Sequence, residues 1–215
     1  MLLVRSRLLV VATISLLVGC VAPNPYDYSA LIDSAPRSIL VLPPLNNSVE
    51  VEADYKFLSQ ISKPLAEKGY YVFPVSVVDQ FLKENGLPTP AEMNSVPLDK
   101  LEQYIGADSV LYVVVEDWGQ KYQVISSVTV VKANLRLVDI KTGELLWKTQ
   151  AHAELSSGDS GGGLAGALAS ALVQQIAGSI VDRTPELATI ANTTAINHKD
   201  HGLLPGPYYV APPEN

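Results

Sequence analysis

Apolar and polar positions recur along this chain with several periods, and each period predicts a different element. Leu8 to Val18 is an unbroken apolar run. At about 11 residues it falls short of the roughly 18–20 that cross a bilayer as a helix. Ser38 to Leu42 and Ser109 to Val115 are shorter apolar runs, the pattern of strands covered on both faces. Between them, Phe57, Leu58, Ile61 and Leu65 share one face of a helix over Asp54 to Lys68 that Gly69 closes, and Pro64 predicts a kink or an early break in it. Tyr70 to Val75 reads as a strand. Ser76 to Asp79 reads as a capping box, with Asp in the place of Glu, opening a helix that ends at Gly86. Leu87 to Val96, with Pro88 and Pro90, reads as loop, and Leu98, Leu101 and Ile105 as a short helix stopped by Gly106.

From Tyr122 onward the period becomes two. Val124, Val128 and Val130 alternate with Ser127 and Thr129, and then the phase flips to Val131, Ala133, Leu135 and Leu137. Such a flip predicts a bulge or a bend. Lys141-Thr142-Gly143-Glu144 is a turn, after which Leu145, Trp147, Thr149, Ala151, Ala153 and Leu155 face one way and Lys148, Gln150, His152 and Glu154 the other. Beyond a loop over Ser156 to Gly163, Leu164, Leu168, Leu172, Ile176 and Ile180 recur every fourth residue in a helix to Asp182, and Thr184-Pro185-Glu186 opens another. The order β-α-β-α-α-β-β-β-α-α predicts an α/β (α+β) fold. A single mixed sheet has parallel-type strands first and a C-terminal antiparallel meander, packed by helices. No internal repeat is present. The boundaries read as a leader over 1–19, a Pro-containing tether over 20–36, the α/β domain over 37–196 and a Pro/Gly-rich tail over 197–215.

The first segment changes the picture most. Arg5 and Arg7 precede the apolar run, which makes it the core of an export signal. It ends in Leu17-Val18-Gly19-Cys20, which resembles the bacterial lipobox. The resemblance implies that Leu17, Val18 and Gly19 are recognised by signal peptidase II and that the Cys20 thiol takes a diacylglyceryl group. Two or three acyl chains at about 0.8 kcal/mol per buried CH₂ anchor a protein stably. Val21 stands where an Asp would mark inner-membrane retention, so the sorting rule of such lipoproteins implies the outer membrane, facing the periplasm.

Composition narrows the classes further. Among 215 residues Cys20 is the only Cys, which excludes an intramolecular disulfide and a multi-thiolate metal site. Net charge −7 argues against an electrostatic hold on nucleic acid or anionic lipid. The leader carries two Arg and no acidic residue, so its removal takes the charge to −9. At 47% hydrophobic and 17% charged, the chain is not disordered overall.

Four pieces in order carry a family resemblance: the Ser38–Pro44 strand and turn, Gly106-Ala107-Asp108 entering Val110 to Val115, the hairpin over Leu135 to Trp147, and the small-residue helix after it. Behind a lipobox they resemble a family of bacterial lipoproteins of unknown function, related to the curli-secretion channel lipoprotein and to the amino-terminal domain of the TolB periplasmic protein. Leu203 to Pro207 also fits that family, and the resemblance covers most of residues 37–207. It implies a TolB-like fold and a place in an envelope export assembly. Residues 43–54 and 116–123 read as loops too short for the extra hairpins of a membrane-spanning channel, so a domain on a lipid leash is expected.

Candidate chemistry is sparse. His198 and His201 flank Asp200 in the tail, where a metal site would lack a rigid frame, and His152 sits on the polar face of a strand. Glu116 and Asp117 are adjacent strand residues that point to opposite faces. Ser156 to Gly161 lacks a nucleophile elbow, and Gly161-Gly162-Gly163 lacks the G-K-[ST] of a phosphate loop. Gly166, Ser170, Ala171 and Gly178 place small residues on the helix over Leu164 to Asp182. That helix is expected to pack on its own sheet or, alternatively, on a partner. Tyr208 and Tyr209 could dock a partner from the tail.

The sequence thus reads as a non-enzymatic outer-membrane lipoprotein without cofactor or metal. It is expected to serve as an accessory or assembly subunit of a curli-channel-like export system, as a homo-oligomer or in a complex with other envelope lipoproteins. Two alternatives stay open: an auxiliary lipoprotein of a lipid or solute transporter with an apolar binding cleft, and an unrecognised hydrolase.

Overall fold

A computed structural model describes residues 25–122, 127–156 and 182–211. The expected lipobox residues Leu17, Val18, Gly19 and Cys20 lie outside the described residues, as do Gly166, Ser170, Ala171 and Gly178. The elements are α1 (Ser29–Ser34), β1 (Ser38–Val41), β2 (Leu45–Asn46), α2 (Ala53–Glu67), β3 (Tyr71–Val72), α3 (Val75–Glu84), α4 (Pro90–Asn94), α5 (Leu98–Ile105), β4 (Ser109–Tyr122), β5 (Ser127–Asp139), β6 (Leu145–Ser156) and α6 (Thr184–Ile196). One six-stranded mixed sheet runs in the order β3-β1-β4-β5-β6, with β2 also on β4. The strands β1, β2 and β3 pair in parallel, and β4, β5 and β6 form an antiparallel meander. This is the mixed α/β sheet expected from the order of periods.

Every residue of β1 is buried because both faces of the sheet are covered there. On one face α2 and α6 pack Phe57, Ile61, Leu65, Leu187 and Ala191 against Val113, Leu135 and Trp147. On the other, Val78, Leu82, Met93 and Leu101 from α3, α4 and α5 cover Leu40, Leu42 and Val110. α2 and α6 run side by side in the same direction, joined by Thr189 Oγ1 donating to Gln60 Oε1 (2.8 Å) and Lys68 Nζ donating to Asn197 Oδ1 (3.1 Å).

Several elements differ from the sequence reading, each for a local reason. α2 continues through the buried Pro64 to Glu67. One lost backbone bond is offset by the apolar face that Leu65 completes. The strand read over Tyr70 to Val75 shrinks to Tyr71–Val72, and Pro74, not Ser76, occupies the N-cap of α3, without a side-chain cap. Thr89 and Glu92 form a full capping box around Pro90, so the supposed loop contains α4. The segment 116–122, read as loop, continues β4. The apolar phase flips within β5 without a break, because Val128, Val130 and Val131 are all buried. The register shift lies opposite them, where β4 carries Glu116 between Val115 and Asp117. A second shift leaves Leu145 exposed and puts Leu146 into the core beside Trp147.

The packed chain also extends past both expected ends of the domain. The segment read as tether contains α1, whose Leu31 is buried in the core. The segment read as tail folds back as an ordered strap, with Leu203 buried. Apolar residues spaced too sparsely to show a period still supply core contacts.

Candidate functional site

One end of the sheet gathers most of the non-periodic chain. There β1 and β4 begin and β5 turns into β6, and Ser109 stands opposite Asp139. Asp108 ties the strands together: its Oδ2 accepts from Arg37 N, Ser38 N and Ser38 Oγ (2.9–3.0 Å), and its own N–H donates to Ser38 Oγ. Asp139 organises the turn after β5. Its Oδ1 accepts from the N–H groups of Lys141 and Thr142, and its Oδ2 from Ser34 Oγ at 2.6 Å. Burial pushes the Asp139 carboxyl up, and hydrogen bonds from Ser34, Thr142 and Lys141 outweigh that and hold it below its ordinary value. Gly143 takes the left-handed conformation that the turn requires (φ 74°).

The N-terminal segment reaches the same end along the sheet edge. Tyr26 and Tyr28 pack ring to ring at 4.7 Å. The Tyr26 hydroxyl accepts from Lys148 N (2.9 Å) and donates to Lys148 O (3.4 Å), occupying edge groups of β6. The Tyr28 hydroxyl donates to Gly202 O at 2.6 Å, so the two terminal segments hold each other. α1 then lies beside β6 with Ile32 63% exposed.

The strap over Gly202 to Tyr209 crosses the C-terminal end of α2. Gly206 N donates to Lys68 O (2.8 Å), Tyr208 N to Gly69 O (3.0 Å) and Tyr70 Oη to Leu204 O (2.9 Å). Burial pushes the Tyr70 hydroxyl up to about 12, so it stays a donor. His198 and His201 stack at 3.6 Å between ring centres. His198 Nδ1 accepts from Asp200 N, and His201 O accepts from the Trp147 indole at 3.0 Å. These groups lock the strap to the sheet, where the sequence reads only a Pro/Gly-rich tail.

Among the described residues, two concavities stand out. A notch of about 300 Å³ is lined by Arg37, Ser38, Tyr71, Phe73, Gly106, Asp108 and Tyr208. A largely apolar groove of about 240 Å³ runs between α3 and α5, with Phe81, Leu87, Val96, Leu101, Tyr104 and Ile105 in its walls. Farther along the sheet a ladder of amides and one carboxylate crosses the strands. Asn47 and Asn134 donate to Glu116, and Gln150 donates to Asn134. Glu116 and Asp117 therefore serve different partners, since Asp117 pairs with Lys121. His152 lies 4.0 Å from Glu154 on the exposed side of β6. The ladder was missed in the sequence because its members come from four segments; the one available signal was polar residues at every second position of β5 and β6.

The comparisons with known proteins agree with this architecture. Residues 26–208 match the family model described as "Putative lipoprotein GNA1162-like". The "Putative lipoprotein NMB1124/NMB1162" of Neisseria meningitidis serogroup B is 43% identical over 190 residues, covering 88% of each chain. The crystal structure of lipoprotein GNA1162 from N. meningitidis superposes with a TM-score of 0.56 at 46% identity, covering 67% of this chain and all of that one. A more distant similarity, TM-score 0.43 at 14% identity, is to the PelC dodecamer from Paraburkholderia phytofirmans, over 80% of this chain and 92% of that one.

Proposed function

The chain belongs to the GNA1162-like lipoprotein family, and from that premise we propose that it is an envelope scaffold anchored through lipid on Cys20, with no catalysis of its own. The finer reading is an outer-membrane subunit, facing the periplasm, that assembles with copies of itself or with other envelope lipoproteins in a curli-channel-like export system. What supports a scaffold is how the polar groups are used. Asp108, Asp139 and Glu116 are all spent on holding strands and turns together. A rigid polar sheet face is left for protein contact.

The apolar groove between α3 and α5 favours a second reading, an auxiliary binding module of a lipid or solute transporter. One experiment separates the two. Membranes holding the native chain are extracted in mild detergent and the size of the purified species is measured. An assembly larger than one chain supports the scaffold, whereas a lone monomer carrying co-purified lipid supports the binding module. Cys20→Ala is expected to lose membrane fractionation, and a variant that keeps it refutes the anchor.

A further inference from the structure

We propose that the end of the sheet bearing α1 and the β5–β6 turn rests against the bilayer surface, with Ile32 and Leu145 at the lipid boundary and the β4–β5 hairpin pointing away. The inference rests on the reading that Cys20 carries lipid, and its force comes from the length of the leash. Tyr26 is pinned to Lys148 through both backbone groups. Only six residue steps separate Tyr26 from Cys20, and at 3.3–3.6 Å each they reach about 20 Å when fully extended. The residues read as a long tether are largely part of the folded domain.

That reach limits the orientations. Lys148 pairs with Arg136, and Arg136 with Tyr112. From Tyr112 to the end of β4 at Tyr122 are ten further steps, about 33 Å at the rise of a strand. A leash of about 20 Å, even with the length of the Tyr26 side chain added, falls short of that distance, so it cannot hold the molecule with the Tyr122 end of β4 on the membrane. The domain could still lie flat on the β6 edge, but Gln150, His152 and Glu154 are exposed there, and polar side chains gain nothing from the lipid boundary. The end nearest the pin instead exposes Ile32 (63%) and Leu145 (38%). Its exposed charges are mixed, Arg37, Lys141 and Lys148 against Asp27, Asp33 and Glu144, so apolar contact and leash length select this end rather than lipid charge.

The test uses the full lipidated chain reconstituted in phosphatidylethanolamine/phosphatidylglycerol vesicles containing a nickel-chelating lipid. Lipid occupies the Cys20 thiol, so Ile32→Cys, Val49→Cys and His152→Cys each present one reactive thiol for a nitroxide. All three positions are exposed, and Val49 lies in the loop beside Val115, up the sheet from the pin. Relaxation by the headgroup nickel is expected to be several-fold stronger at position 32 than at 49 or 152. Equal relaxation at 32 and 49 overturns the orientation, and a signal at 152 matching that at 32 overturns it in favour of a flat domain. A chain that fails to float with the vesicles removes the anchor itself and the orientation with it, and flotation separates that failure from the other two.

Discussion

Replacing Gly69 by Ala tests whether the C-terminal strap is part of the fold. A Cβ at this position would lie 2.3 Å from Tyr209 N and 2.5 Å from Tyr209 Cα, both backbone atoms that cannot swing aside. Gly69 also has φ +88°, so any side chain adds left-handed strain of roughly 1–2 kcal/mol. Gly86 provides the internal control: it has φ +84°, and a Cβ there meets nothing within 4 Å. The strain is therefore common to both substitutions and cancels in their difference. What remains is the displaced strap, with three hydrogen bonds lost at Lys68 O, Gly69 O and the Tyr70 hydroxyl. At about 0.5–1.5 kcal/mol each, the difference between the two variants should be about 2–4 kcal/mol. Urea unfolding of the mature chain with Cys20→Ser, followed by tryptophan fluorescence, measures it, because the Trp147 indole is bonded to His201 O where the strap begins. Equal midpoints for Gly69→Ala and Gly86→Ala would refute the reasoning and return the strap to the status of a tail.

Leu31→Ala is expected to cost about 2–5 kcal/mol in the same unfolding assay, the usual range for a buried Leu, whereas a true tether residue would cost nothing measurable. Asp139→Asn should lower the melting temperature at neutral pH. The folded carboxyl titrates below its ordinary value of 3.8, so its contribution is present above that pH and is lost as pH falls through the folded value. The gap between wild type and variant, followed by thermal melts from pH 7 to pH 2, should accordingly close below about pH 4.

The sheet was legible because its strands are covered or half-covered in regular ways. Ser38 to Leu42 and Ser109 to Val115 show unbroken apolar runs, and Trp147 to Ala153 alternate, so both periods report burial directly. The shift opposite β5 showed in the sequence as a phase flip, whereas the one at Leu146 left no mark, since Leu145 and Trp147 keep a regular alternation. A bulge in β4 leaves no mark on β4 itself when Glu116 is held by amides from other segments. α4 carries its own mark in Thr89-Pro90-Ala91-Glu92, a capping box with Pro at the first helical position, where Pro opens a helix rather than breaking one. The ends of the domain were not legible. Leu31 and Leu203 are single anchors in polar, Pro-rich surroundings, and a single buried residue has no period.

The bond between the Tyr28 hydroxyl and Gly202 O joins residues 174 positions apart, and this bears on when the molecule can finish folding. Local meanders form early, and contacts between chain ends come late because loop closure must precede them. On the proposed export from the N-terminus, Leu31 emerges well before Leu203, and both side chains are buried in the same core. The core cannot close until Leu203 has followed. Under that proposal, lipid attachment at Cys20 would act on a chain that is still open, and the fold would be completed beside the membrane that holds it.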